Sequence, residues 1–394
     1  MAAMPDYTLF AWLGVTAIAL VLWTLPQLFI ACCGSKTGAA QVKLEESPLA
    51  GATAPARHDG GSPASTEHVA AEPVLSCSCE ALTIAVICFL VLALVVFVAM
   101  FGLTGMVTFW NVKASECQAA PCTSASAADC CSYAVDPLRF PGPTAPVDVT
   151  YTTTDGAMHG WLMTNSTPAS PGDGWLTVLY SHGSGANVAV NYRQQRYQWL
   201  LSLGRVRVFV YDYPGYGKSE GVPSYEGTGR AAAGAAAFLQ AHINATSDAN
   251  ITYLGRSLGG NVAVAAIGAS SSSSRRLAVQ STFASWGSNF GALFPFLGWA
   301  MVPGFQGAFE AGTQAQAFAA RPGACAYESH STADEWVPIA QGRALWELLK
   351  PTAAAQAAGC TSTFHEYNTA LHDDPLTAGE RAALGAWMQT ARAS

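Results

Sequence analysis

The stretch Asn250-Ile-Thr-Tyr-Leu-Gly-Arg-Ser-Leu-Gly-Gly-Asn-Val-Ala-Val-Ala265 restricts what this chain can fold into more than any other. It reads as a short buried strand, a sharp turn and a helix, with Gly255-Arg256-Ser257-Leu258-Gly259 as the turn. A serine on a tight strand-to-helix turn needs glycine neighbours, because any side chain there collides with the flanking backbone. Such a turn lifts the Ser257 hydroxyl over the sheet edge and aims the first N–H groups of the following helix at whatever the serine attacks. Five residues with three fixed also describe an ordinary Gly-rich turn, so the reading depends on partners elsewhere in the chain.

The 394 residues allow one large domain with accessories, and only 11% of them are charged. Two segments explain part of that low value. No charge lies between Asp6 and Lys36, where Leu9 to Ile30 is strongly apolar, and none lies between Glu80 and Lys113, where Ala81 to Val107 is nearly continuous aliphatic sequence. Each is long enough to cross a hydrocarbon core of about 30 Å as a helix. A cleaved signal peptide is the competing reading of the first, but it lacks a basic n-region and its apolar span is too long. The expected organisation is an N-terminal tail and transmembrane helix (1–33), a disordered Ala/Gly/Ser/Pro-rich loop (34–80), a second transmembrane helix (81–110), a Cys-rich linker (111–146) and a catalytic domain (147–394). Lys36, Lys43 and Arg57 place the loop on the cytoplasmic side, so the domain after Val107 is expected in a lumen or outside the cell.

Cysteine and sequon placement agree with that side. Cys117, Cys122, Cys130 and Cys131 crowd together and, with Cys325 and Cys360, make an even set suited to disulfides. A zinc site is the competing reading of the crowded four, but no histidine lies among them, and no metal or other cofactor is expected. Asn165, Asn244 and Asn250 each begin an N-x-S/T triplet. Cys32 and Cys33 at the cytoplasmic end of the first helix are either plain interfacial thiols or acylation sites. The net charge of −7 with no basic cluster argues against nucleic acid as a partner. Oligomeric state is not legible.

From Val147 the pattern alternates. A hairpin turns at Asp155-Gly156, and strands are expected at 175–180, 205–211, 277–282, 325–330 and 361–367, besides the one before the serine. Helices are expected at 191–203, 225–243, 339–349 and 378–391, the last with Thr377 and Glu380 as a capping box. Strands separated by helices imply a mostly parallel sheet covered on both faces. Residues 284–322, rich in Phe, Trp, Gly and Pro, break the rhythm and read as a lid or substrate pocket, with ordinary helix packing as the alternative.

A serine hydroxyl needs a base, and the base needs an orienting acid. In this sheet the chain order is nucleophile, acid, histidine. Asp334 follows the strand ending at His330, and His372 follows the last strand, so both stand where the topology requires. His365 lies inside a strand, His330 precedes the acid, and Asp373 and Asp374 read as loop and capping residues. Asp212 reads as the organiser of its own Tyr-Pro-Gly turn. The oxyanion donors expected are the backbone N–H groups of Leu258 and of Ser184 in Tyr180-Ser-His-Gly-Ser-Gly-Ala186, whose His182 is read as structural.

With these residues in place, the chain from about Thr177 to Trp387 resembles the α/β-hydrolase superfamily. Within it, it is similar to membrane-anchored, Bem-type hydrolases and related serine aminopeptidase-like and acyl-protein-thioesterase-like proteins. Ser181-His-Gly-Ser184, Tyr211-Asp-Tyr-Pro-Gly-Tyr-Gly-Lys-Ser-Glu-Gly221, Leu254-Gly-Arg-Ser-Leu-Gly-Gly260, Ser281-Thr-Phe283, Ser331-Thr-Ala-Asp334 with Val337-Pro338, and His372 carry the likeness. It implies the fold of that superfamily and a triad of Ser257, Asp334 and His372. The pattern departs at Leu371, Asp373, Ser331 and Ser184, where Gly, Asn, Gly and Asn are usual. The expected function is a membrane-anchored serine hydrolase acting on an ester, thioester or amide through an acyl-enzyme, with a small acyl or peptide substrate. An aminopeptidase-like activity on the same triad and a catalytically silent binding protein are the alternatives.

Overall fold

The computed structural model describes residues 87, 88, 91, 113, 114, 117, 133, 145–165, 174–293, 309–356, 360–368 and 370–390. Apart from Ile87, Cys88 and Val91, which are helical, both predicted membrane spans lie outside these residues, as does the loop 34–80. Among the described residues no helix is long and apolar enough to cross a membrane. Ile87, Cys88 and Val91 belong to one compact unit, and the described residues from Lys113 onward to another.

Eight strands build that second unit: β1 (Val147–Thr153), β2 (Gly156–Thr164), β3 (Leu176–Ser181), β4 (Val206–Tyr211), β5 (Ile251–Arg256), β6 (Arg276–Gln280), β7 (Cys325–Ser331) and β8 (Thr363–Tyr367). Their order across the sheet is β1-β2-β4-β3-β5-β6-β7-β8. β1 and β2 form the predicted hairpin, β2 meets β4 antiparallel, and every pairing from β4 to β8 is parallel. The helices are α1 (Asn191–Ser202), α2 (Tyr225–His242), α3 (Leu258–Gly268), α4 (Trp286–Leu293), α5 (Gly312–Ala319), α6 (Ile339–Leu349) and α7 (Ala378–Gln389).

Strand alternation sorts the core into two layers. Val178, Val208, Leu254 and Ala278 face α1 and α7 through Tyr197, Leu200, Leu384 and Trp387. Their neighbours Leu179, Phe209, Tyr253 and Leu277 face α2, α3, α5 and α6 through Ala231, Ala235, Ile267, Phe318 and Leu345. The alanines of α2 let that helix lie close to the sheet, and Ser224 caps it by accepting from the Gly227 N–H at 3.0 Å. The predicted Thr377–Glu380 capping box opens α7. β6 ends at Gln280, two residues earlier than its pattern suggests, because Ser281 takes φ 47° to turn the chain at the sheet edge.

Two features alter the predicted organisation. Of the predicted lid, 294–308 lies outside the described residues, whereas α5 is an ordinary flanking helix whose Ala315 and Phe318 are buried against the sheet layer. The 111–146 segment is not a free linker at its described positions. Ala114 N–H donates to the Gly217 carbonyl at 2.8 Å, and the Tyr133 hydroxyl donates to Asp212 Oδ2 at 2.7 Å. Cys325 and Cys360 form a disulfide with a Cα–Cα distance of 6.0 Å, tying the start of β7 to the approach to β8. Cys117 is disulfide-bonded too, with its partner outside the described residues.

Candidate active site

At the carboxyl edge of the sheet, between β5 and α3, Ser257 has φ 54° and ψ −130°, a backbone conformation that L-residues rarely adopt. The neighbouring glycines make that conformation possible. A Cβ at Gly255 would strike the Gly259 carbonyl, and one at Gly259 would strike the Ser181 and His182 carbonyls of the adjacent turn. Gly260, the second glycine of the pair, sits against Thr282, whose hydroxyl donates to the Ser257 carbonyl at 2.6 Å. The Ser257 N–H donates to the Gln280 carbonyl at 3.0 Å, so the strained residue is held at both ends of its backbone.

Three loops then meet over this turn. Ser257 Oγ is 3.0 Å from His372 Nε2, and His372 Nδ1 is 2.8 Å and 3.0 Å from the two oxygens of Asp334. The acid is itself fixed, since Asp334 Oδ1 accepts from the N–H groups of Trp336 at 3.0 Å and Val337 at 2.7 Å. Burial alone would raise the Asp334 carboxyl, but the His372 hydrogen bond and charge and the Val337 N–H hold it below its ordinary value. An ionised acid at Nδ1 keeps that nitrogen protonated and leaves Nε2 free to accept from the serine.

The turn after β3 closes the remaining side. A Cβ placed on Gly183 would lie 3.4 Å from Ser257 Cβ, so this turn passes directly beside the nucleophile. Arg193 of α1, 3% exposed, donates to the carbonyls of Asn187 at 2.7 Å, Gly183 at 3.0 Å and Gly185. In a planar trans peptide the N–H points opposite to the carbonyl. Fixing the Gly183 carbonyl on Arg193 therefore turns the Ser184 N–H away from α1, toward the open side of the turn. Two tyrosines brace the same loop: Tyr213 donates to the His182 carbonyl at 2.6 Å and Tyr216 to the Ser184 carbonyl at 2.9 Å. Leu258 opens α3, where the first N–H groups have no partner within the helix.

The residues set aside by sequence fall into supporting places. His182 is buried with Nδ1 2.7 Å from the Gly183 carbonyl, and burial, then the Arg193 charge, push its imidazole down to about 3. His330 is fully buried beneath the acid, with Nε2 2.7 Å from the Val337 carbonyl. Desolvation lowers its pKa, so it is neutral and donates from Nε2. Beside it Glu328 is fully buried, and desolvation holds its carboxyl well above the usual range. The His365 ring stacks on Tyr367 within β8. Asp374 accepts from the Leu371 N–H at 2.7 Å, a loop role as expected. Asp212 does more than organise its own turn. Its carboxylate joins three segments, accepting from the Val188 N–H and Tyr133 and lying 2.8 Å from His159 Nδ1.

Sequence reading missed Arg193, Tyr213, Tyr216 and Glu335. Glu335 Oε2 accepts from the His372 N–H at 3.0 Å and so pins the histidine loop to the acid loop. Asn289 of α4 donates to the Trp336 carbonyl at 3.3 Å, which puts the first helix of the predicted lid beside the acid turn.

Residues 177–325, spanning β3 to the start of β7, match the family model described as the alpha/beta hydrolase fold. Over this stretch the chain carries the alpha/beta hydrolase fold. Among its relatives is an uncharacterized protein, YfhR, of Salmonella typhi, 29% identical over 178 residues. That match covers 42% of this chain and 59% of the relative's length. The alpha/beta hydrolase domain-containing protein WAV2 of Arabidopsis thaliana is 29% identical over 169 residues, 43% of this chain and 52% of that protein. The chain thus spans less than two thirds of the length of these curated relatives. A solved structure of the esterase Pf2001 of Pyrococcus furiosus superposes with a TM-score of 0.46 at 17% identity, over 62% of this chain and 90% of that one.

Proposed function

We propose that the protein is a serine hydrolase that cleaves an ester, thioester or amide through an acyl-enzyme. One observation carries the reading: the unbroken contact from Ser257 Oγ through His372 to a doubly anchored Asp334, beside the Ser184 turn. His372 Nε2 takes the Ser257 proton as the oxygen attacks the substrate carbonyl carbon. The resulting oxyanion receives the N–H groups of Ser184 and Leu258. His372 then passes its proton to the departing alcohol, thiol or amine as the carbonyl–leaving-group bond breaks. Water, deprotonated by the same nitrogen, releases the acid and restores Ser257. Asp334 positions the ring and stabilises the imidazolium.

Trp336 and Leu371, 54% and 53% exposed, flank the acid and the histidine and favour a substrate with an apolar acyl part. The apolar spans at 9–30 and 81–107 favour two-pass membrane anchoring, and the Cys325–Cys360 disulfide favours a lumenal or extracellular domain. A fluorophosphonate probe tests the central reading. Wild type is expected to label and Ser257→Ala to remain unlabelled; equal behaviour of the two would end the enzyme reading. For topology, a mobility shift on deglycosylation is expected. Absence of glycan together with protease sensitivity of a cytosolic domain would reverse the orientation.

A further inference from the structure

A cavity of about 50 Å³, several times the ~10–15 Å³ that one water needs, is lined by sequence neighbours of Ser257 and His372. Its walls are supplied by Tyr192 and Arg196 of α1, by Arg256, by Asp373 and Asp374 after the histidine, and by Arg381 of α7. Each part of the machinery has an immediate neighbour here. Arg256 precedes Ser257, Asp373 follows His372, and Tyr192 precedes the Arg193 that holds the oxyanion turn.

The wall holds Arg196, Arg256 and Arg381 with Asp373 and Asp374, but its two buried cations lack a close acidic partner among the described residues. Arg196 and Arg256 are 9% and 8% exposed, and among the described residues neither has a carboxylate within ion-pair distance. Arg196 is held by neutral partners, the Tyr180 hydroxyl at 3.3 Å and Gln280 Oε1 at 3.2 Å. The Arg381 side chain donates, among the described residues, only to the Leu376 carbonyl. The Arg256 side chain makes no hydrogen bond among the described residues, yet it stands at the end of a strand buried along its whole length. Asp374 is engaged with the Leu371 N–H, and Asp373 is exposed. Buried guanidinium groups are ordinarily paired, because removing a charge from water without a counter-charge is costly. Burial, and then the neighbouring Arg196, push the Arg256 guanidinium below its ordinary value, against a smaller opposing pull from Asp373.

We propose that this cavity is a subsite for an anionic oxygen group of the substrate, a carboxylate or a phosphate, received by Arg256 and Arg196. The inference rests on the hydrolase reading and specifies its substrate as one that joins an apolar acyl part to an anionic group. Arginine suits this role because its planar fork gives two parallel N–H donors to either oxyanion.

Turnover of p-nitrophenyl hydrogen glutarate against p-nitrophenyl valerate, of equal chain length, tests the preference in the full chain. Wild type is expected to favour the charged ester in kcat/KM on the order of tenfold to a hundredfold, the range for a charge-assisted hydrogen bond. The ratio should collapse toward one in Arg256→Gln and in Arg196→Gln. Binding to the Ser257→Ala protein gives a second readout without catalysis, through the fluorescence of Trp199 on the cavity wall. Glutarate and inorganic phosphate are the probes, and the tighter of the two identifies which oxyanion the site takes. Adding Arg196→Gln to Ser257→Ala should abolish that binding. A wild-type ratio of one, a ratio unchanged in both variants, or no binding of either probe to Ser257→Ala overturns the subsite. Binding that Arg196→Gln removes, in a chain that neither turns over nor labels, would leave the subsite standing and remove the hydrolase reading instead.

Discussion

Arg193→Met tests whether the oxyanion turn is held by one buried guanidinium. Methionine replaces the aliphatic stem and keeps helix propensity, so α1 survives, but the carbonyls of Gly183, Gly185 and Asn187 lose their shared donor. A hydrogen bond to a charged group contributes about 1.5–3 kcal/mol, and such contributions do not add when one cation serves all three. The expected loss of stability is therefore roughly 3–5 kcal/mol, the range for breaking a buried charged network. Catalysis should suffer separately. With the Gly183 carbonyl released, the 183–184 peptide is free to rotate and the Ser184 N–H is no longer fixed toward the reacting carbonyl. Losing an oxyanion donor costs about 10²–10³ in turnover, and displacing it by about 1 Å costs up to ~10². The prediction is a kcat lower by roughly 10–10³ with a smaller change in KM, and slower fluorophosphonate labelling in protein that is folded by circular dichroism. Arg193→Lys, one point charge in place of a fork, should fall between. Folded Arg193→Met that labels and turns over at the wild-type rate would refute the reasoning.

Four further outcomes follow from the same geometry. Gly259→Ala places a methyl group against the Ser181 and His182 carbonyls and should yield little folded protein, checked by soluble yield and labelling. Asp334→Asn, which removes the charge that orients His372, should keep the melting temperature near wild type while kcat falls by about 10⁴, checked by steady-state kinetics. Cys360→Ser opens a 35-residue loop and should lower stability by roughly 4 kcal/mol on the chain-entropy account, checked by denaturant titration under non-reducing conditions. His182, held at about 3 when folded, takes up a proton near 6.5 when unfolded, so the unfolded state binds more protons between those values and stability falls as pH falls through that window. His182→Gln should flatten the decline by about 1.4 kcal/mol per pH unit, measured by denaturant titrations between pH 6.5 and pH 4.5.

The elbow was legible because its constraints are written in residue type. Gly255 and Gly259 are demanded by specific carbonyls, and no other residue could stand there. Asp334 and His372 were legible by order, since a parallel sheet fixes which loops reach the carboxyl edge. The braces were not legible for an equally physical reason. Arg193 acts on backbone carbonyls, which have no identity in sequence, and beside Arg196 it reads as part of a solvated helix face. Tyr213 and Tyr216 likewise bind carbonyls of His182 and Ser184 across the sheet edge. The predicted lid went too far at its C-terminal end because its aromatic composition masked an ordinary flanking helix. Gly312–Ala319 has only Ala315, Phe318 and Ala319 buried, too short a stripe to stand out beside the Phe- and Trp-rich run before it.

Arg256 shows that a signal was present and needed only a stricter question. Every residue of β5 is buried, and the strand's sequence, Ile-Thr-Tyr-Leu-Gly-Arg, already announces a central strand. A guanidinium at its end must either reach water, meet a carboxylate or face a cavity. Ser257 is pushed over the sheet edge, and alternation turns its predecessor toward the opposite layer, where α1 lies. The nearest carboxylates there, Asp373 and Asp374, sit in the loop whose own geometry is set by His372 and Leu371. Among the described residues no carboxylate lies within ion-pair distance of Arg256, whose side chain lines the cavity. Catalytic serine and charged wall are thus supplied by successive residues of one strand end, and the pleat turns the Arg256 side chain to the layer where α1 lies.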